Sequence, residues 1–445
     1  MMIVFGESAI LIIRLSMKQE TLLASLINIF GGAIIGYNSG IVAGMSLPLI
    51  SCTLFDKSDS INVSLYQGIF TASILVFAAI GSPLGLYMKK LFGMKKAQYI
   101  MGAMATLFPL LMIILKNFWY ITIMRGLLGL SVGFASALSS LYANSMVDPS
   151  IRGRIGSLFQ LAVTLFIFLA QLMNYLFIPS FDVNNCQPLS DVSWRMQLGA
   201  SCLLGIGLCV TLLFTPEMAE EKEAAKKAVR QESLYTSKNI RWIFFALMLA
   251  VMNQLTGING VMYYCAQILS SAGITNVLFT QMIVVGLWNM ITVFFFMAIV
   301  DRMSRRNIFI IALAVMIVGT VALIGSFMAT DIPIVALIGM ALYILGFESG
   351  PGPLFYVMAT QDFPKELVSQ GLGLSNVLLY VLNIILTFFF PILTASIGAG
   401  STFIILGGFQ ILSLVYFSLF KNERKEIPVA VKQQPVPVTK PPIRL

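Results

Sequence analysis

Runs of about 20 mostly apolar residues recur along the chain, near 21–45, 62–88, 97–116, 119–144, 154–178, 194–214, 242–271, 276–300, 307–328, 333–360, 368–390 and 401–420. A helix rising 1.5 Å per residue needs a run of about that length to cross about 30 Å of bilayer hydrocarbon. Transmembrane β-strands are shorter and alternate in polarity, so a barrel does not fit. With 58% of its 445 residues hydrophobic and 11% charged, the chain reads as an all-α membrane protein of twelve transmembrane helices. The lipid bilayer is its first partner.

The basic residues set an expected orientation. Of 28 Lys and Arg, 24 fall on one side when the spans are taken in order; Lys57, Lys116 and Arg195 fall on the other, and Arg125 lies within a span. The positive-inside rule then puts both termini in the cytoplasm. The net charge of +9 follows from this topology and implies no nucleic-acid partner. The chain has no histidine, which excludes a His-based triad, and no Cys/His cluster suggests a metal. No cofactor and no enzyme chemistry are expected, since no nucleophile and base come together. Residues 3–13 are apolar but interrupted by Glu7 and followed by Arg14 and Lys18, which reads as an interfacial segment rather than a cleaved signal.

Two basic turns, 85–96 and 300–306, lie about 210 residues apart, an offset shared by Asp148-Pro149 and Phe363-Pro364. That repeat predicts two six-helix halves, 21–214 and 242–420, with a binding site at their interface near the midplane. The remaining segments are an N-terminal piece (1–20), a cytoplasmic linker of mixed charge (215–241) and a Pro-rich tail (421–445).

Within the apolar run 242–271, residues 253–264 carry three carboxamides, a threonine and paired tyrosines. Polar side chains at membrane depth are costly unless they face a cavity or the bundle interior. Asn253, Gln254 and Asn259 are therefore candidate site residues. Amides both donate and accept hydrogen bonds, which suits an uncharged, hydroxyl-rich solute such as a sugar or polyol; interhelical bonding is the alternative use of such groups. Gln160, Gln171 and Asn289 add amides in both halves. Arg125 requires partners from neighbouring helices, with Asn38 a candidate. Glu348 is a carboxylate deep in a span. Cys52 and Cys186, in outside loops, are available to pair.

Several motifs together resemble the sugar porter branch of the major facilitator superfamily, over residues 21 to about 425. They are Gln254-Leu-Thr-Gly-Ile-Asn259 with Tyr263-Tyr264, Gly350-Pro351-Gly352-Pro353, Asp301-Arg302 with Arg305-Arg306, Arg152-Gly153 before Gln160, Trp194-Arg195, and Pro216-Glu217. The resemblance implies the major facilitator fold, a plasma-membrane location and a carrier acting as a monomer. It implies that Gln160, Gln254, Asn259 and Asn289 contact sugar, that Asn253 stands where relatives have a sugar-binding glutamine, and that Tyr356 replaces a tryptophan floor. Tyr263 and Tyr264 would belong to the outer gate. Arg152, Glu217, Asp301 and Arg302 would belong to the cytoplasmic lock, and Asn38, Arg125 and Glu348 to the conformational machinery. Ser145, Gln361 and Val368 stand where relatives have charged lock residues, so that lock is depleted. Aligned without gaps, Leu379 occupies a position often held by Asn or Gln.

The function expected is facilitative transport of a monosaccharide, a hexose such as glucose. A proton-coupled symporter is the alternative; symporters of the family pair a span-one Asp with the span-four Arg, and here that position is Asn38, which cannot titrate. A non-transporting sugar sensor is a further alternative, disfavoured by a tail of about 25 residues that offers little docking surface.

Overall fold

The computed structural model describes residues 2–55, 62–148, 151–178, 187–215, 233–299, 303–328, 332–364 and 366–419. Every regular element among them is a helix. We label the spans α1 (Gln19–Leu54), α2 (Val63–Phe92), α3 (Met94–Met112), α4 (Phe118–Ser145), α5 (Arg152–Phe177) and α6 (Asp191–Phe214). The second set is α7 (Ser237–Ser271), α8 (Val277–Phe296), α9 (Arg305–Met328), α10 (Pro333–Ser349 and Pro351–Gln361), α11 (Val368–Ile397) and α12 (Ala399–Leu419).

Among the described residues, eleven helices are long and apolar enough to cross a membrane. The exception is α3, which carries Lys95, Lys96 and Gln98 in its first turns; its 19 residues still extend about 28 Å. The run at 3–13 is helical and joins the first span. The first helix starts at Met2 and continues without interruption to Gly40, because no proline and only Gly6 occurs before Gly31 to break it. The tail, residues 216–232 of the linker, and Cys186 lie outside the described residues. Cys52 is disulfide-bonded, while Cys202, Cys209 and Cys265 are free.

The internal repeat is visible in the helices. Val63 and Val277, Phe118 and Pro333, and Arg152 and Val368 open corresponding spans, an offset of about 215 residues that gives two sets of six. The two ends of the bundle differ in chemistry. At one end Asn62, Asn117 and Ser190 cap α2, α4 and α6, accepting from the backbone N–H groups of Leu65, Tyr120 and Ser193 at 3.1 Å each. At the other, basic end, Lys89 and Lys90 close α2, where cations favour the helix dipole. There Lys95 Nζ donates to the Thr215 carbonyl at 2.5 Å.

Lipid tails give no hydrophobic drive between helices, so association depends on close packing, which small residues permit. α1 lies on α5 with so little space that a Cβ at Gly36 would stand 2.1 Å from the Val163 carbonyl oxygen. The halves meet closely at the capped end. Gln267 Nε2 of α7 donates to Gln67 Oε1 of α2 at 2.9 Å, and Gln281 of α8 donates to Gln171 of α5. A Cβ at Gly68 of α2 would come 2.5 Å from the Phe388 carbonyl of α11. Since α1 cannot move away from α5 without opening the first half, Gly36→Val should destabilise the folded protein by about 1–3 kcal/mol, measured as a lower unfolding temperature in detergent.

Candidate functional site

The amide stretch lies where α7 breaks. An α-helix to Ala250 widens into a π-helical turn, Val251–Leu255, a distortion frequent at functional sites. The chain then passes through Gly257 at φ +101° before resuming helix at Ile258–Ser271. Only glycine enters that conformation without strain. The break frees the Thr256 carbonyl, which accepts from the Tyr343 hydroxyl and from Gln410 Nε2 at 3.1 Å. Gln410 is itself held by Thr320 Oγ1 at 2.8 Å. Donors from α10 and α12 thus replace the lost helical bonding, as hydrocarbon requires, and α9 holds the second of them in place.

α10 breaks at the matching point, with Gly350 at φ −151° and ψ −84° between its two pieces. Pro351, which lacks an N–H, opens the second piece at little cost. Asn253 joins the breaks: its Nδ2 donates to the Pro351 carbonyl at 3.0 Å and to the Gly352 carbonyl at 3.5 Å. In this conformation Asn253 therefore ties α7 to α10, and its Oδ1 accepts from Gln254 Nε2 at 2.7 Å.

From Asn253 a relay of neutral groups crosses the second half. Asn259 Nδ2 donates to Gln254 Oε1 at 2.6 Å and to Asn383 Oδ1 of α11 at 3.0 Å. Thr387 Oγ1 donates to the same Asn383 oxygen at 3.1 Å. Asn259 Oδ1 and Asn383 Nδ2 have no partner among the described residues, so the relay holds these amides in place and keeps an acceptor and a donor available. Gln160 of α5 is half-buried and its amide makes no hydrogen bond among the described residues. Asn289 of α8 is fully buried, with Nδ2 against Met262 Sδ at 3.6 Å and Oδ1 unpartnered. Met262 is one turn beyond Asn259, which places Asn289 farther toward the capped end.

Arg125 is 1% exposed. Its Nη2 donates to the backbone carbonyl of Asn38 at 3.1 Å and its Nε to that of Phe70 at 3.3 Å, with the guanidinium 4.9 Å from the Phe70 ring centroid. The expected neighbour is thus present, but through its main chain; the Asn38 side chain turns back to the Ile34 carbonyl at 2.9 Å. Tyr263 and Tyr264 are buried near the capped end. Tyr264 stacks on Phe390 at 5.5 Å and donates to the Thr387 carbonyl at 2.9 Å. Glu348 is buried two residues before the Gly350 break and has neither ion pair nor hydrogen bond among the described residues. The side chains of Arg152 and Tyr356, and residues Glu217, Asp301 and Arg302, lie outside the described residues.

The sequence reading missed Asn383 and Thr387. Leu379, singled out by ungapped position, is an apolar buried residue. The signal was the helical spacing of Asn376, Tyr380, Asn383 and Thr387, which lie on one face of α11.

Two six-helix halves and an uncharged hydrogen-bonding relay carried on broken helices at mid-span define a membrane carrier of the major facilitator class. The chain belongs to the sugar (and other) transporter family, whose model matches residues 24–219 and 217–430. The glucose transporter GlcP of Staphylococcus epidermidis is 23% identical, over 92% of this chain and 96% of that protein. The galactose-proton symporter of Escherichia coli K12 is 25% identical, over 93% of each. A crystal structure of a D-xylose-proton symporter superposes with a TM-score of 0.78 at 23% identity, over 90% of this chain and 97% of that one.

The break in α7 has a simple test. A Cβ on Gly257 would lie 2.5 Å from Leu406 Cδ1 and 2.8 Å from the Tyr343 hydroxyl, on a backbone that already disfavours side chains. Gly257→Ala should cost about 1–3 kcal/mol of stability, seen as a lower unfolding temperature of purified protein together with weakened substrate binding.

Proposed function

We propose that this protein is a facilitative transporter of a monosaccharide, a hexose such as glucose, that works by alternating access between its two halves. The observation that carries this reading is the relay Asn253–Gln254–Asn259–Asn383, whose members are neutral and fixed and keep unpaired donors and acceptors. A charged solute would call for a counter-charge; a sugar hydroxyl needs a donor and an acceptor together. The family membership supports a sugar, and the curated relatives include a glucose transporter. In this reading Gln160, Gln254, Asn259, Asn289 and Asn383 contact the sugar, and Asn253 orients Gln254. Tyr356 carries the aromatic floor, and Tyr263 and Tyr264 form the outer gate. Arg152, Glu217, Asp301 and Arg302 lock the cytoplasmic side.

The basic end faces the cytoplasm, as the charge distribution argues. The Gln67–Gln267 and Gln171–Gln281 bridges at the opposite end then support a conformation with its outer end sealed. The linker at 215–241 joins the two moving halves, and the protein works as a monomer in the plasma membrane.

Removing the amides should weaken binding without unfolding the bundle. Gln254→Ala and Asn259→Ala should each lose about 1–3 kcal/mol of hexose binding in a direct binding assay, with counterflow in proteoliposomes falling in parallel. Wild-type affinity in both variants would overturn the site.

Proton coupling is the competing reading, favoured by the symporters among the relatives. Opposing it is Asn38, which exchanges no proton and has its amide bonded within its own helix. An imposed pH gradient should therefore drive no sugar accumulation in purified proteoliposomes. Uphill accumulation that collapses with a protonophore would falsify uniport, and Glu348→Gln would then locate the coupling carboxylate by abolishing accumulation while sparing exchange.

A further inference from the structure

Toward the basic end the first half reaches the second through two hydroxyls. Ser136 Oγ of α4 and the Tyr380 hydroxyl of α11 are 3.0 Å apart. Ser136 has one proton, and Oγ also lies 2.8 Å from the Gly133 carbonyl of its own helix, which can only accept. The proton between the halves is therefore the tyrosine's, and Tyr380 donates to Ser136.

The position of this bond gives it a role. α11 runs from Val368 at the basic end toward the capped end, and Tyr380 stands three residues before Asn383 on the same helix face, about 4.5 Å nearer the basic end. Its backbone thus stands on the basic side of Asn383, and its side chain reaches from there to α4 of the other half. At the capped end the closure is extensive, with two amide bridges and the Gly68–Phe388 approach. The lock expected from charged residues is depleted at Ser145, Gln361 and Val368.

We propose that Tyr380 is a gate residue of the transport path, closing the basic side of the relay with its ring and latched to the opposite half by donation of its hydroxyl to Ser136. The proposal rests on the reading of the relay as the substrate site. A neutral latch of this kind is weak enough for thermal opening, since folding trades it against bonds to water and its net stabilisation is small.

The test follows access to the relay and needs no sugar. Asn383→Cys provides a thiol just behind Tyr380, in protein whose Cys202, Cys209 and Cys265 are replaced by Ala. An impermeant maleimide is added in nanodiscs, where both faces are open, and the labelling rate is measured. Tyr380→Phe, which keeps the ring, and Ser136→Ala, which removes the acceptor from the other half, should each raise the rate about three- to tenfold, and the double variant should match the singles. Tyr380→Ala, which removes the ring as well, should label faster still. A rate equal to the parent's in either single variant, or a double variant whose effect is the product of the two, overturns the latch. Because Ser136→Ala reaches the same bond from the first half, misfolding of a Tyr380 variant leaves the test standing. Hexose binding by the protein with native Tyr380 and Asn383 is read separately, so failure of the substrate site and failure of the gate are distinct results.

Discussion

In hydrocarbon each backbone N–H and C=O must find a partner within the protein, and that requirement governs how this chain can build a polar site. A continuous helix meets it automatically but presents only side chains. A broken helix exposes main-chain groups and sharp changes of direction, and is tolerated only where neighbours restore the bonding. Here Tyr343 and Gln410 hold the Thr256 carbonyl of α7, and Asn253 ties α7 to the Pro351 and Gly352 carbonyls that open the second piece of α10. The two breaks thus stabilise each other, and the amides beside them acquire fixed positions. The relay from Asn253 to Thr387 follows from that arrangement rather than from any single residue.

Among the described residues the same neutrality marks the contacts between halves. Amide pairs and a hydroxyl pair join them at the two ends, whereas the charged group Arg125 is caged within the first half by the Asn38 and Phe70 carbonyls and the Phe70 ring. Ion pairs taken out of water lose solvation that attraction does not always recover. Neutral bonds cost less to break and remake, which suits an interface that must open repeatedly. The ion pairs between Asp191 and Lys116 or Arg195, at 3.7 and 3.6 Å, are half-exposed and contribute little.

Glycines shape the bundle in two distinct ways. Gly36 brings α1 against the Val163 carbonyl and keeps a half rigid, while Gly257 gives α7 a conformation open to no other residue without strain. One is about space and the other about backbone dihedrals, so substitution at each harms the protein for a different reason.

Much of the architecture was legible in the chain. Apolar runs of membrane length, the offset of about 210 residues between halves, and amides stranded among apolar neighbours are local patterns, and bilayer physics converts them directly into helices, pseudo-symmetry and a polar site. The partners were not legible, because they depend on which helices meet and on how each side chain turns. Asn253 is a candidate site amide that also ties α7 to the break in α10; Asn38 is a candidate neighbour of Arg125, and it is its carbonyl that takes the bond. Asn383 was hidden among apolar residues of α11 until α7 was placed beside it. The sequence by itself determined that twelve helices must form and which polar residues must be sheltered, since lipid penalises any other outcome. Only the tertiary structure decided which of those residues bond each other and which remain open, since donor and acceptor distances of about 3 Å are set by packing across helices far apart in the chain.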